Sequence, residues 1–484
     1  MLLKELLDNI HDKEISPSLG MLEISSISCD SRRVGNNSLF VALKGSRHDG
    51  ARFIEEAVGR GARVVILNSD AAIPQRKDVL FLRTADPYTY VRHLTQRFYG
   101  PLSSQVKSIG ITGTNGKTTV TYLIESILKE AGKSCGVIGT VNYRIGGSIF
   151  PSTNTTPDFV ENHRLLADLF KKQIEYCVME VSSHSLVQGR VDLIDFKTAV
   201  FTNLASDHLD YHGTRENYFL AKAGLFTRLS PGHTAVINVD DACGCQLMTM
   251  TPAKVVTYGI NQPADLTAKD IRIGMKGSQF ELCAPSAKGI VQTRLVGRHN
   301  VYNILAAVAV CLKENIGWEA IKKGIAGLER VPGRLERIDS PQGFSVFIDY
   351  AHTEDALKNV LETMRTVCQG RIILVFGCGG DRDKTKRPRM GAAAGQWADL
   401  TILTNDNPRS EEPQTIIEGI LQGFRGDNYE VHLDRKEAIR RAVEMARPGD
   451  VVLLAGKGHE DYQIFKDKTI RFDEQEVVRE CLKC

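Results

Sequence analysis

Between Val106 and Ala131 the chain reads as a β-rich apolar run, a turn with two glycines, and a stretch of helical spacing. The run Val106–Thr112 is short and apolar, as a buried strand should be. Residues 113 to 119 then read Gly-Thr-Asn-Gly-Lys-Thr-Thr. From about Lys117 to Ala131, Val120, Leu123, Ile124, Ile127 and Leu128 make one apolar stripe. A strand feeding a helix through such a turn predicts a mostly parallel α/β sheet, with its chemistry beyond the carboxyl ends of the strands.

The turn itself is chemical. Gly113 and Gly116 let the backbone bend so that N–H groups, including those of Thr114 and Asn115, converge on phosphate oxygens. The positive end of the helix adds to that attraction. Lys117 can then reach the terminal phosphates of a nucleotide, and Thr118, followed by Thr119, can offer a hydroxyl to Mg²⁺. The usual GxxxxGK[ST] spacing fails because position 111 is Ile, so the loop is the shorter GxxGKT. The rival reading is a Gly-rich turn of purely structural purpose. A phosphate loop alone does not separate a motor or switch ATPase from a kinase or a ligase.

At 484 residues, roughly 150 per domain, about three domains are expected. The first block, to about residue 100, holds the apolar segments Ser38–Leu43 and Ala62–Leu67 between turns, the pattern of a small α/β unit. Pro101-Leu102-Ser103-Ser104 reads as a linker. The second block carries the phosphate loop and the strand candidates Tyr176–Val181 and Thr198–Leu204. Near Val331-Pro332-Gly333-Arg334 a third begins, with strands at Phe344–Tyr350, Ile372–Phe376, Leu400–Thr404 and Val451–Leu454, as in a doubly wound, Rossmann-like domain. The expected boundaries are therefore 1–100, 101–331 and 332–484, and two facing nucleotide-type domains would leave a ligand cleft.

Composition narrows the class. Apolar residues make up 42% and charged residues 25%, and Lys plus Arg (61) nearly balances Asp plus Glu (58). A net charge of +3 is too small for a nucleic-acid coat or a polybasic membrane anchor. The basic run Arg382–Arg389 contains Asp383 and no aromatic for base stacking, so nucleic acid is not expected as a partner. The start, MLLKELLDNIHDKE, mixes charges into its apolar positions and reads as an amphipathic helix, not a signal peptide. No apolar run reaches the roughly 18 residues of a membrane span. Eleven cysteines stand mostly alone, and the CxxC of Cys481 and Cys484 has no second pair in register, so reduced thiols in the cytoplasm are expected.

Other polar groups fall at the predicted strand ends. Glu180 closes the Tyr176–Val181 strand within EVSSH, and Asn203, Asp207 and His208 follow the next strand. An acid and a histidine at adjacent strand ends could ligate a hard cation, although such a Glu can also be a cap and such a His merely hydrogen-bonded. Lys222, in a segment of helical spacing, reads from composition as a solvated surface charge.

Taken together, TGTNGKTT, NTTPD (Asn154–Asp158), EVSSH (Glu180–His184), NLASDHLDYHG (Asn203–Gly213), Lys222, GRHNVYN (Gly297–Asn303), VPGRLE and DYAH (Asp349–His352) resemble the Mur ligases, ATP-dependent amide ligases of peptidoglycan precursor synthesis. The similarity runs through all three blocks. DSR (Asp30–Arg32), GCGGDRD (Gly377–Asp383), DNPR (Asp406–Arg409) and GKGHE (Gly456–Glu460) narrow it to the MurE type, which adds the third residue. One departure is Glu354, where the family commonly has proline; it lies beside the site and should matter little.

The resemblance implies roles. Gly113 to Thr119 would hold ATP phosphates, and Thr118, Glu180 and His208 would hold Mg²⁺. Lys222 would be carbamylated and ligate a second Mg²⁺. Ser31, Asn154, Thr155, Thr156, Ser182, Gln188 and Arg190 would hold the UDP-muramoyl substrate. Asn300, Asn303, Arg334 and Asp349 would contact adenosine or phosphate. Arg382, Asp406, Asn407, Pro408, Arg409, Gly456 and Glu460 would hold the incoming amino acid. A small-molecule enzyme, monomeric, joining meso-diaminopimelate to UDP-MurNAc-L-Ala-D-Glu through an acyl phosphate is the expectation. An L-lysine-adding ligase and a folylpolyglutamate synthetase-like ligase are its rivals, the second opposed by DNPR and GKGHE. For meso-diaminopimelate, with its second carboxylate, Arg409 offers the matching fork; alternatively it caps a strand-to-helix turn.

Overall fold

The structure, a computed structural model, describes residues 1–8, 20–44, 49–72, 76 and 78–483. The opening segment is helical over Leu3–Leu7 and buries Leu3, Leu6 and Leu7. The remainder of that predicted helix, and Cys484 of the CxxC pair, lie outside the described residues.

Residues 1–109 and 134–197 form one compact unit, and residues 110–133 and 198–484 form another. In the first, strands Ser26–Ser28, Ser38–Val41, Ala62–Asn68 and Leu80–Thr84 make a wholly parallel sheet in chain order. The strand Tyr176–Glu180 pairs in parallel with Cys135–Ile138, which continues antiparallel through Asn142–Ile145 to Ser148–Pro151. The helices Pro87–Ser103 and Phe159–Lys171 share a core with the four-stranded sheet around Leu39, Ile66, Leu94 and Val160.

The predicted linker at Pro101–Ser104 is instead the end of the helix Pro87–Ser103. Asp86 caps that helix by accepting from Tyr88 and Thr89 N–H, and Pro87 fits its first turn. Its buried face, Tyr90, Val91, Leu94, Thr95, Tyr99 and Ser103, continues on both sides of Pro101. Packing of that face outweighs the one backbone bond a proline removes near a helix end.

In the second unit, the strand Phe196–Phe201 from Thr198 onward and the strands Thr234–Asn238, Lys254–Gly259 and Leu266–Gly274 are parallel, and an antiparallel meander adds Gly277–Ala284 and Ala287–Thr293. The phosphate-loop helix Lys117–Glu130 buries Val120, Leu123, Ile124, Ile127 and Leu128, the predicted stripe. A further six-stranded sheet runs in the order Glu336–Asp339, Ser345–Asp349, Val451–Ala455, Ile372–Phe376, Leu400–Leu403, Tyr429–Val431. All its neighbours are parallel except the first pair. Its central strands are buried along their whole length, which is why they read as unbroken apolar runs. The chain is α/β throughout, with parallel sheets at its centre.

Candidate active site

Gly113 and Gly116 are glycines because of both conformation and space. Their φ values are +146° and +91°, and a Cβ would stand 1.8 Å from Thr202 Oγ1 and 2.4 Å from Asn303 Oδ1 respectively. The end of the Phe196–Phe201 strand clamps the turn between them. Thr114 N–H donates to Asn203 O (2.9 Å), and Asn115 N–H donates to Asn203 Oδ1 (3.0 Å). Thr202 Oγ1 and Asn203 Nδ2 donate to Asn115 O at 2.6 and 3.1 Å. Asn203 thus shapes the loop; its side-chain amide within FTNLASDH was the available signal. Thr118 and Thr119 are both buried at the start of the helix.

Two lysines converge on this loop. Lys117 Nζ donates to Gly113 O and Thr114 O, each at 2.7 Å. Lys222, on the helix Arg215–Thr227, is only 1% exposed and donates to the same Gly113 O at 2.9 Å. Its ammonium also lies 4.4 Å over the Tyr218 ring, whose hydroxyl is 3.2 Å from Thr114 Oγ1. The surface-charge reading of Lys222 is therefore wrong. Spacing along a helix cannot reveal which of its faces the fold buries. Burial, and next the charge of Lys117, push its ionisation well below the ordinary lysine value, in the direction of the neutral amine.

His208 has φ of +55° and opens the one-turn helix Leu209–His212. Its Nε2 is 3.6 Å from Asp207 Oδ2. Desolvation, with help from Lys117, His352 and Lys222, lowers the imidazole's proton affinity against the pull of Asp207. The neutral ring is the ligating form.

From the sheet that follows residue 335, Arg334 reaches back: its Nη2 donates to Thr118 Oγ1 at 3.1 Å, and its guanidinium stacks 4.8 Å over the Tyr350 ring. Asp349 is buried and accepts from Leu335 and Ala351 N–H at 2.7 and 2.8 Å, so it fixes the turn that carries Arg334. Asn303 abuts Gly116 and donates to Asn300 Oδ1 (3.0 Å), and Asn300 donates to Val296 O (2.8 Å). Glu354 begins the helix Glu354–Val367 and pairs with Arg389 at 3.4 Å. An acid suits that first turn electrostatically, as a proline would sterically.

The amino-acid candidates lie at the carboxyl ends of neighbouring strands of that sheet. Arg409 takes φ of +52°, unusual for a residue with a side chain. Its N–H donates to Ile464 O (3.0 Å) and its Nη1 to Gly380 O (2.7 Å). Backbone strain of this kind persists where surroundings over-determine it, often at ligand sites. The carbonyl of Pro408 leaves no room for a side chain at Gly380: a Cβ there would stand 1.9 Å away. Asn407 Nδ2 donates to Glu460 Oε2 at 2.9 Å. Asp406 is 9% exposed, with Oδ2 buried and unpartnered among the described residues; a Cβ on Gly456 would come within 2.9 Å of it. Arg382 is exposed, its Nη1 donating to Asp381 O at 3.2 Å. Lys457, completely buried, was overlooked in the sequence although it stands inside GKGHE.

The remaining candidates belong to the other unit. Glu180 Oε1 accepts from Thr140 N–H and Oε2 from the Thr140 hydroxyl, both 2.9 Å, and that hydroxyl is 3.1 Å from Thr155 Oγ1. Thr156 Oγ1 donates to Glu180 O (2.8 Å) and accepts from Ser182 N–H (3.0 Å). Arg190 donates to Thr156 O (3.1 Å) and Gln188 Oε1 (2.8 Å), and Asn154 O accepts from Tyr143 (2.8 Å). This group is thus brought together around Thr156. Ser31 donates to Glu56 Oε2 at 2.8 Å. Two residues on, Arg33 links its turn to Glu161 and, at 3.5 Å, to Thr153.

Models of known families cover each stretch. Residues 23–97 match the Mur ligase family catalytic domain, 111–311 the Mur ligase middle domain, and 333–458 the Mur ligase glutamate ligase domain. The chain belongs to the Mur ligase family. The UDP-N-acetylmuramoyl-L-alanyl-D-glutamate–2,6-diaminopimelate ligase of Clostridium botulinum is 42% identical over 95% of both chains. Its counterpart in Geobacillus kaustophilus is 44% identical over 96% of both. A solved ligase of that name superposes with a TM-score of 0.66 at 33% identity, covering 100% of this chain and 99% of its own. The MurF ligase of Thermotoga maritima, solved with ADP, shares the Mur ligase fold at 19% identity, TM-score 0.68, covering 95% of this chain and 97% of its own.

Proposed function

We propose that this chain joins meso-diaminopimelate to UDP-MurNAc-L-Ala-D-Glu at the expense of ATP, a step of peptidoglycan precursor and hence cell-wall synthesis. The observation that carries this reading is full-length similarity to ligases named for that reaction, on a chain that keeps Lys117 and Lys222 on one phosphate-loop carbonyl. A carboxylate does not condense with an amine near neutral pH, because its oxygen is too poor a leaving group. Its oxygen therefore attacks the γ-phosphorus of ATP; the bond to the β,γ-bridging oxygen breaks, giving an acyl phosphate and ADP. The amine then attacks the carbonyl carbon, the tetrahedral oxyanion collapses, phosphate leaves, and the nitrogen loses its proton.

This chain's residues orient and stabilise. The amides of Gly113–Thr119 and the Lys117 ammonium disperse charge on the migrating phosphoryl group. Arg334 is poised beside Thr118 to add a second cation, and Asn300 and Asn303 would flank the nucleoside. Thr155, Thr156, Ser182, Gln188 and Arg190, with Ser31 and Asn154, would hold the UDP-sugar dipeptide.

Among the described residues no three His, Cys, Asp or Glu side chains gather as a ready metal set. The donors at hand, a threonine hydroxyl, an imidazole and carboxylates, suit a cation that completes its shell with phosphate and water, as Mg²⁺ does. Thr118, Glu180, His208 and a carbamate on Lys222 would hold two such ions, which when bound neutralise phosphate charge. The downward shift of Lys222, toward the neutral amine, supports the carbamate, because only that form adds CO₂. The division at residues 100/101 and 331/332 into UDP-substrate, ATP and amino-acid domains belongs to the same reading, as do a cytoplasmic location and a monomeric state. No helix among the described residues is long and apolar enough to cross a membrane.

Arg409 supports the choice of amino acid. Apart from its bond to Gly380 O, its guanidinium has no other hydrogen bond among the described residues, leaving a fork for a carboxylate. A lysine-selecting site would set that cation against an ammonium. In one reaction containing equal meso-diaminopimelate and L-lysine, diaminopimelate is expected to dominate the product at least about tenfold. Arg409→Ala should erode the preference by about 10- to 100-fold, the loss of one charge-assisted pair. Preferential lysine incorporation overturns the reading; unchanged selectivity in Arg409→Ala removes Arg409 from its role.

A further inference from the structure

Lys457 has no solvent exposure at all. An ammonium is rarely buried unless paired, and this one is paired with the site itself. Its Nζ donates to Asn407 Oδ1 at 3.2 Å and to Glu460 Oε2 at 3.3 Å, and it lies 5.6 Å over the Tyr462 ring. Asn407 closes the triangle by donating to the same Glu460 oxygen, and its Oδ1 also accepts from Ile464 N–H at 3.0 Å. The two loops that carry DNPR and GKGHE are thus tied through one buried cation.

Formal charge at these loops can be counted. Asp406 and Glu460 contribute two negative charges; Arg409 and Lys457 contribute two positive ones. Beneath them Arg435 and Glu474, both buried, pair at 2.8 Å and cancel each other. Arg435 is occupied further by Ala455 O at 2.9 Å and Asn405 O at 3.2 Å. Within DNPR and GKGHE the formal charges therefore balance, and Lys457 supplies one of the two cations that balance them; Arg382, on the neighbouring loop, is exposed. Without it, the same geometry would carry one net negative charge and attract a lone ammonium.

We propose that Lys457 is a specificity-determining positioning residue: its buried ammonium neutralises these loops so that they accept a zwitterionic amino-acid end and reject an end that is only an ammonium. The inference rests on the diaminopimelate reading above and adds to it the residue that sets the charge. Arg409 faces the carboxylate directly, whereas Lys457 acts through Glu460 and Asn407. Glu460, half-satisfied by Lys457, can still accept from the ligand's ammonium without holding a full uncompensated charge. A lysine end, carrying +1 into neutral loops, gains nothing to replace its hydration.

Two substitutions separate charge from scaffolding. Lys457→Gln removes the charge but keeps a donor for Asn407 or Glu460; Lys457→Met removes both. The readout is the product ratio from meso-diaminopimelate and L-lysine competing in one tube, which does not depend on how much of the protein is folded. Both variants are expected to lose discrimination by at least about tenfold, or about 1.4 kcal/mol, while KM for ATP and for the UDP-dipeptide stays within about twofold. Wild-type selectivity in Lys457→Gln overturns the proposal, because loop scaffolding alone would then explain the lysine. A wild type that prefers L-lysine defeats the diaminopimelate reading itself, whatever the variants do. A further measurement needs no variant: 2-aminopimelate, with a distal carboxylate and no distal amine, carries the opposite net charge. Neutral loops should make the wild-type enzyme discriminate against it as well, by at least about tenfold. Parity between 2-aminopimelate and diaminopimelate contradicts the charge balance.

Discussion

Lys117→Ala is expected to lower ligation by about a thousandfold or more with the fold intact. The lysine's ammonium already lies among the loop carbonyls that a nucleotide's phosphates would face. Its charge matters most when the phosphoryl group is in flight, and losing one well-placed cation there costs on the order of 10³ in rate. The structural cost is small by comparison. Two bonds to Gly113 and Thr114 carbonyls are lost, roughly 1–3 kcal/mol, while the glycine geometry and the Asn203 clamp remain. Circular dichroism and a thermal melt near the wild-type midpoint should accompany the loss of turnover. Near-normal ligation by a folded Lys117→Ala protein would contradict the nucleotide site.

Lys222→Ala should lose at least about a hundredfold in activity and regain part of it with acetate or formate. A carbamate forms when the neutral amine adds to CO₂ and releases one proton. The Lys222 shift runs in the direction that promotes that reaction: burial, and next Lys117, disfavour the ammonium. Acidification through the lowered value restores the ammonium and releases CO₂, so activity should fall on the acid side and return with bicarbonate at higher pH. A ¹³C carbamate signal from labelled bicarbonate, absent in Lys222→Ala, would follow the same profile. A lysine that only packs the interior predicts loss without carboxylate rescue; a solvated one predicts no loss.

The contrast between those two lysines shows what a sequence carries. Lys117 is legible because its function is local: strand, glycines, lysine and helix start lie within a dozen residues, and each is required by the next. The sheet following residue 335 is equally legible, because parallel strands buried on both faces leave apolar runs such as Ile372–Phe376. Lys222 is not, since its burial against Gly113 joins residues 109 positions apart. Nor is Lys457, whose depth follows from how two loops of one sheet close over it. The left-handed backbone of His208 and Arg409 has no compositional mark, as neither residue is a glycine or asparagine. Pro101 misled in the other direction. A local breaker signal was overruled by a buried helix face that only the packed fold displays. The partially exposed strands of the meander, Leu266–Gly274 and Gly277–Ala284, alternate in burial and so lack the continuous apolar signal that marked their neighbours.

Product mass tests the central claim most directly. The protein would be incubated with UDP-MurNAc-L-Ala-D-Glu, ATP, Mg²⁺ and a panel of amino acids that includes meso-diaminopimelate, L-lysine and L-glutamate. The expected result is one dominant product, heavier than the dipeptide substrate by diaminopimelate less one water, formed with one ADP and one phosphate and absent when any substrate is withheld. ADP release that continues without the UDP-dipeptide and amino acid, or a product carrying another amino acid in preference, would contradict it.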